Sequence, residues 1–338
     1  VFFFVFLLSL SCATTQDFFR AGLTAMASGQ VAEARADFEK VRDAEPANPQ
    51  VWLALTEVYA MQKEVTLRGA AAERSVALAH AKNGWESSSV VRNFLGKVYL
   101  ANGEYGRALT EYREAIRLSP YDEALRFDLA QALLGHEEFG PAADVLEDAR
   151  KLFDRSAQIE LALGVAYYGQ RRFPEAVNSF LRTIELAPEV SQPYVFLGKM
   201  LDQAGDRLPE VERRFEEFER ANPNNYIAYL LRAKALAMAG GDPGEIEKLL
   251  RKSIALNATS WEATYELGVL LESSHDYARA ARELELSAKL NPDVAAVHYH
   301  LARVYSRMNK TEEAAKERVR HQELTGRDKV TAGMEPVR

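Results

Sequence analysis

The sequence predicts an all-α fold of tandem helix-turn-helix units stacked side by side, and three columns of residues predict it. A small or aliphatic residue recurs at Ala34, Ala72, Ala108, Ala142, Ala176, Val211, Ile246, Ala280 and Ala314, at spacings of 38, 36, 34, 34, 35, 35, 34 and 34 residues. A second column of mostly small residues stands at Gly22, Thr56, Gly96, Ala130, Gly164, Gly198, Ala233, Gly268 and Ala302. Leucine usually precedes it, and Tyr or Leu usually follows three residues later, as at Tyr59, Tyr99, Tyr167, Leu271 and Tyr305. Offsets of three and four place these side chains on one helical face. The third column, four residues after the first, is bulky: Phe38, Val76, Tyr112, Leu146, Phe180, Phe215, Leu250 and Leu284.

Each unit therefore reads as a first helix (A) carrying the Leu-Gly-Tyr positions and a second (B) carrying the alanine and bulky positions. The small columns let two antiparallel helices approach closely, and the bulky column fills the space between them and their neighbours. Pro46, Pro120, Pro188, Pro223 and Pro292 close units, because a fixed φ and a missing N–H stop one helix before the next begins. One unit is too small to hold a core, so adjacent units supply it. The second unit carries about four extra residues near Lys63 to Arg68, read as a longer turn between its helices, and Gly240 to Gly244 forms a glycine-rich turn in the seventh. Arg232 occupies a position that is leucine in seven other units. Either its guanidinium reaches a buried acid or a ligand, or the helix shifts and Leu231 fills the core instead. In the last helix Arg318 replaces the bulky residue, which suits a cap with no following neighbour, and the polar tail beyond Thr325 is expected to fray.

At 338 residues, 47% hydrophobic and 27% charged, the composition is that of an ordinary globular chain. A formal charge of -7 argues against a general binder of nucleic acid or anionic membranes, which needs clustered Lys and Arg. One cysteine excludes an intrachain disulfide. None of the six histidines has a histidine four residues away, and His298 and His300 stand about 200° apart on a helix, so neither pair geometry holds a metal. No phosphate-binding loop and no nucleophile elbow is present. The expectation is a protein that is not an enzyme, with no catalytic residue, metal, cofactor or small-molecule substrate.

Residues 1–10 are almost purely apolar, too short for a bilayer span of about 20 residues and suited to the apolar region of a signal peptide. Ser11-Cys12-Ala13 resembles a bacterial lipobox, although Ser9 stands where leucine is usual and no basic residue precedes the run. That resemblance implies a lipid on Cys12 and export to the bacterial outer membrane or periplasm, Ala13 after the cysteine fitting outer-membrane sorting. A cleaved signal in which Cys12 has no role, or a retained N-terminal anchor, are the alternatives. The expected organisation is a signal peptide over 1–11, a tether over 12–14, the repeat array over 15–324 and a polar tail over 325–338.

The 34-residue period, with the order bulky, Leu-Gly, Tyr, Ala, bulky, Pro, resembles the tetratricopeptide repeat from about Thr15 to Leu324. The resemblance implies a right-handed superhelical αα solenoid of about nine repeats, whose A helices line a groove for a protein partner. One step round from the Leu-Gly-Tyr face, the groove positions include Asn93, Lys97, Phe127, Gln131, Tyr168, Lys199, Lys234, Tyr265, Tyr299 and Arg303. Aromatic side chains would anchor a peptide or helix, and Lys or Arg would orient its acidic groups. Aliphatic neighbours such as Leu161, Val165 and Leu230 are either contacts or partly buried by the array itself. The family's carboxylate clamp does not map, although Asn93 and Lys97 share a helix. The expected function is a non-catalytic scaffold or adaptor of the bacterial cell envelope; the alternative is a regulatory or substrate-recruiting subunit of an enzyme such as a glycosyltransferase.

Overall fold

A computed structural model describes the backbone of residues 2–82 and 84–333 and the side chains of 15–82 and 84–327. The lipobox and Cys12 lie outside the described side chains. Among the described residues the chain is all-α, and it divides into two compact units, Val1–Arg171 and Arg172–Arg338. The first holds α1 (Phe2–Ala27), α2 (Val31–Ala44), α3 (Pro49–Met61), α4 (Val65–His80), α5 (Ser89–Ala101), α6 (Tyr105–Leu118), α7 (Glu123–Gly135), α8 (Phe139–Leu152) and α9 (Ala157–Gly169). The second holds α10 (Phe173–Leu186), α11 (Gln192–Lys199), α12 (Leu208–Ala221), α13 (Tyr226–Met238), α14 (Pro243–Leu256), α15 (Trp261–Ser273), α16 (Tyr277–Leu290), α17 (Ala295–Arg307) and α18 (Thr311–Gly333). Odd-numbered helices are A helices and even-numbered ones B helices, in the αα-solenoid arrangement of the expected fold class.

Local chemistry sets the ends of the helices. The A helices α3, α5, α7, α9, α13 and α15 start behind Asn48, Ser88, Asp122, Ser156, Asn225 and Ser260, whose side chains accept a backbone N–H of the first turn. Every A–B turn is closed by one residue in the left-handed region: Gly29, Lys63, Gly103, Glu137, Arg171, Gly205, Gly240, His275 or Asn309. Four of these are glycine, which adopts that conformation without steric cost, and five carry a side chain.

In the first, third and eighth repeats the small A-helix residue, Gly22, Gly96 or Gly268, faces the bulky B-helix residue, and their sizes compensate. A methyl group on Gly22 would lie 2.6 Å from the Phe38 ring, and one on Gly96 2.6 Å from the Tyr112 ring. Where the A helix has Ala130, the B helix has Leu146, and all of these partners are buried. A further column lies three residues beyond the bulky one: Val41, Ser75, Ala115, Ala149, Thr183, Phe218, Ser253 and Ser287, all buried. Its serines tie the two helices of a repeat together: Ser75, Ser253 and Ser287 donate to the carbonyls of Pro49, Tyr226 and Trp261, each the first residue of the A helix, at 2.9–3.0 Å.

The junctions between repeats carry two more recurrent bonds. Tyr59, Tyr167 and Tyr305 donate their hydroxyls to Glu39, Glu147 and Glu285 of the preceding B helix, twenty residues earlier in each case. The carbonyl of every unit-closing proline accepts a side-chain donor six residues on: Trp52 on Pro46, Arg126 on Pro120, Tyr194 on Pro188 and Tyr229 on Pro223. In the last, His298 Nε2 lies 3.0 Å from the Pro292 carbonyl.

Two expectations need correction. The extra residues of the second repeat are not in its turn, which is three residues long (62–64) like that of the first (28–30). They lengthen α4 to 16 residues and form the link 81–88, which holds a 3-10 turn at Trp85–Ser87. Ala72 therefore stands sixteen residues after Thr56, as Phe38 does after Gly22, so it belongs to the bulky column; Val76 is only half-buried. Secondly, α11 is cut to eight residues, and the 3-10 turns Leu201–Gln203 and Gly205–Arg207 replace its second half. The last helix, α18, runs from Thr311 to Gly333. At Arg232 the second alternative is realised, and the acids that the guanidinium reaches are half-buried or exposed. Leu231 is buried against Gly198, and Arg232 pairs with Glu219 and, at 2.8 Å, with Glu245.

Candidate functional site

Within each unit successive A helices touch one another: α3 with α5, α5 with α7 and α7 with α9 in the first, α11 with α13 and α15 with α17 in the second. Their shared face carries most of the sequence-predicted contact residues, and the structure links several of them through acids that the sequence reading did not single out as site residues.

In the first unit Asn93 and Lys97, one turn apart on α5, both reach Asp128 of α7, at 2.7 and 2.8 Å. Asn93 Oδ1 is buried with no hydrogen-bond partner. Glu57 of α3 faces Lys97 from the other side, and burial holds its carboxyl above the ordinary glutamate range while the ammonium pulls it down. Phe127 is half-buried beside Asp128, Gln131 is exposed, and Tyr168 of α9 is half-buried.

The second unit repeats this pattern with more members. Lys234 of α13 lies 3.8 Å from Glu266 of α15, and burial raises the Glu266 carboxyl, with Lys234 opposing. Glu272, buried at the end of α15, takes His300 Nδ1 at 2.5 Å on one oxygen and Arg303 Nε at 3.1 Å on the other. His300 also lies edge-on to two predicted aromatics, Tyr265 at 5.6 Å and Tyr299 at 5.3 Å between ring centres. Burial, together with Glu266 and Glu272, pushes the Tyr265 hydroxyl up to about 12. The Arg303 guanidinium lies 5.6 Å from the Tyr299 ring. Lys199, exposed at the end of α11, stands 6.0 Å from the Phe196 ring.

Four predicted residues, Lys234, Tyr265, Tyr299 and Arg303, are thus brought to one cluster, and Asn93 and Lys97 to another. The bases are already neutralised within the chain, so an incoming acid would compete with Asp128, Glu266 or Glu272. Asp128 and Glu266 escaped notice because acids on helices read as solvated surface, whereas Glu272 falls among the groove-facing positions of its helix. The usable signal was opposite charge at slightly less than one period: Lys97 to Asp128, Lys234 to Glu266 and Glu272 to Arg303. The described residues contain no group of three His, Cys, Asp or Glu able to hold a metal, and no helix among them is long and apolar enough to cross a membrane.

Comparison with known proteins gives a consistent family. The family described as Tetratricopeptide repeat matches residues 19–84, 127–191 and 265–317, more than half of the chain, and that described as TPR repeat matches 96–136. The chain is 23% identical over 288 residues to TPR repeat-containing protein YpiA of Bacillus subtilis (strain 168), across 83% of this chain and 65% of that protein. It is 22% identical over 287 residues to Anaphase-promoting complex subunit 3 of Schizosaccharomyces pombe, across 82% of this chain and 36% of that one. It therefore spans less than two thirds of the length of either relative. Among solved structures PilW, described as a widely conserved type IV pilus biogenesis factor, superposes with a TM-score of 0.50 at 18% identity, over 59% of this chain and 92% of its own, a likeness of fold.

Proposed function

The chain belongs to the tetratricopeptide repeat family, whose members generally mediate protein–protein interactions, and on that premise we propose that it is a non-catalytic scaffold which receives a protein partner on its A-helix face. One observation carries the reading: Lys234, Tyr265, Tyr299 and Arg303, from three different A helices, converge on Glu266, Glu272 and His300 at a partly exposed surface. Such a surface offers rigid aromatic area at low entropy cost beside charges that set the partner's orientation.

In this proposal a lipid on Cys12 tethers the protein to the bacterial envelope, in the outer membrane or facing the periplasm, with the repeats following a short tether. The Ser11-Cys12-Ala13 sequence behind an apolar run supports it. Two experiments test the proposal separately. Affinity capture from envelope extract is expected to lose its specific partner with the Lys199→Ala, Lys234→Ala, Arg303→Ala triple variant, and capture that is unchanged removes the groove assignment. Cys12→Ala, or globomycin, is expected to block removal of the apolar leader so that a larger precursor accumulates, and unaltered processing removes the lipid.

A further inference from the structure

The cleft between the last two helices differs in chemistry from its predecessors. In the preceding repeat, α17 covers the cleft between α15 and α16, and Leu284 and Ser287 are buried beneath it. Thirty-four residues later the corresponding positions are Arg318 and His321, and Arg303 and Arg307 replace Val269 and Ser273. These four side chains, with Tyr299 and Ser306, line a recess of about 530 Å³ between α17 and α18.

No carboxylate lines this recess. Arg303 shares Glu272 with His300, Arg318 donates to Ser306 Oγ at 2.7 Å, and His321 Nδ1 lies 3.0 Å from the Ala295 carbonyl. Arg307 and Arg318 have no carboxylate partner among the described residues. The described acids of α18 stand elsewhere: Glu317 is 2.6 Å from His298, Glu323 is 3.4 Å from Arg320, and Glu312 and Glu313 occupy the first turn. A cap serving solubility alone has no reason to sort its charges in this way; interspersed signs would do as well. Here a chain of formal charge -7 gathers three guanidiniums in one helix-width cleft.

We infer that this recess is a docking site for an acidic helix of a protein partner, which lies across α17 and α18 where a further A helix would stack. Among the described residues no helix occupies this junction, and the charge selects glutamate or aspartate side chains, which accept paired N–H bonds from arginine. The inference names the partner's chemistry within the proposed scaffold function; the recess shares Tyr299 and Arg303 with the A-helix face but not Lys199 or Lys234.

The test uses the full chain and a labelled alanine-based helical peptide of about 20 residues, long enough to hold a helix alone, with glutamates along one face. Its glutamine analogue and phosphatidylglycerol vesicles serve as comparison probes. Fluorescence anisotropy is expected to show the glutamate peptide binding about tenfold more tightly than the glutamine one. Arg307→Ala/Arg318→Ala should abolish that difference, while Arg182→Ala/Arg213→Ala, removing equal charge elsewhere, retains it. Both recess arginines are exposed, and circular dichroism verifies that the fold is kept. Lys199→Ala/Lys234→Ala should leave peptide binding intact, so failure of the groove assignment and failure of this one give different results. Equal binding of the two peptides, equal loss in both arginine pairs, or recess-dependent binding of the vesicles without the peptide overturns the inference.

Discussion

The pairing of Gly96 with Tyr112 makes a quantitative test of how the repeats hold together. In Gly96→Ala the new methyl carbon would sit 2.6 Å from Cε1 and 2.7 Å from Cδ1 of Tyr112, well inside contact distance, and the ring is buried. Overpacking of this kind costs about 1–3 kcal/mol, and the helix preference of alanine over glycine offsets about 1 kcal/mol of it. The net expectation is a loss of up to about 2 kcal/mol. In a Tyr112→Leu background the obstructing ring is gone, and the site takes on the Ala130–Leu146 combination of the next repeat. The same methyl should then stabilise by about 1 kcal/mol, a coupling of about 1–3 kcal/mol between the two positions. Because repeat arrays open locally, the measurement is hydrogen exchange of the α5 and α6 amides in all four variants. An effect of Gly96→Ala with the same sign and size in both backgrounds would refute size compensation as the basis of the columns.

Other perturbations follow from the same contacts. Burial raises the Glu266 carboxyl, so the folded chain holds that proton more tightly than the unfolded one; the favourable contribution is complete below the ordinary glutamate pKa and is lost as pH rises through the folded value. Glu266→Gln should therefore raise the melting temperature of the second unit at pH 7 and have no effect near pH 4, and a benefit independent of pH would contradict this. Lys63→Gly should stabilise by about 0.5–1 kcal/mol, since Lys63 is held at φ 60°, where a β-carbon is unfavourable; urea melts of α3–α4 reporters test it. Ser287→Ala should cost about 1 kcal/mol by removing its bond to the Trp261 carbonyl, whereas the column's alanines, Ala115 and Ala149, show that the space itself accepts a methyl. Scanning calorimetry of that variant should show a lowered transition.

The helix pairs and the buried columns were legible because close packing writes itself as residue size at a fixed period. The second repeat was misread by four residues because Ala72 looks like a member of the small column; only the left-handed Lys63 fixes the turn and reveals Ala72 in the bulky column, sixteen residues after Thr56. The interruption of α11 has no such local signature: Lys199, Met200 and Leu201 are ordinary helix formers, and nothing in their sequence announces the 3-10 turns. The candidate site was half legible. Aromatic and basic groove positions follow from the helix period, but Asp128, Glu266 and Glu272 matter through partners about thirty residues away, and a charge has no size by which a packing column would betray it.

The bonds on the proline carbonyls have a consequence for how such chains drift. Indole, guanidinium, phenol and imidazole all serve at the same station, at Trp52, Arg126, Tyr194, Tyr229 and His298, because the acceptor demands reach and a polar hydrogen, not an identity. Where the acceptor position is Asp154 or Ala258 instead of proline, the station holds Glu160 or Thr264. A substitution matrix reads this column as noise. Arg92 serves the Glu86 carbonyl in the same way without a proline, so scored as a donor six residues after a unit-closing carbonyl the station would help to count degenerate repeats where residue similarity has faded.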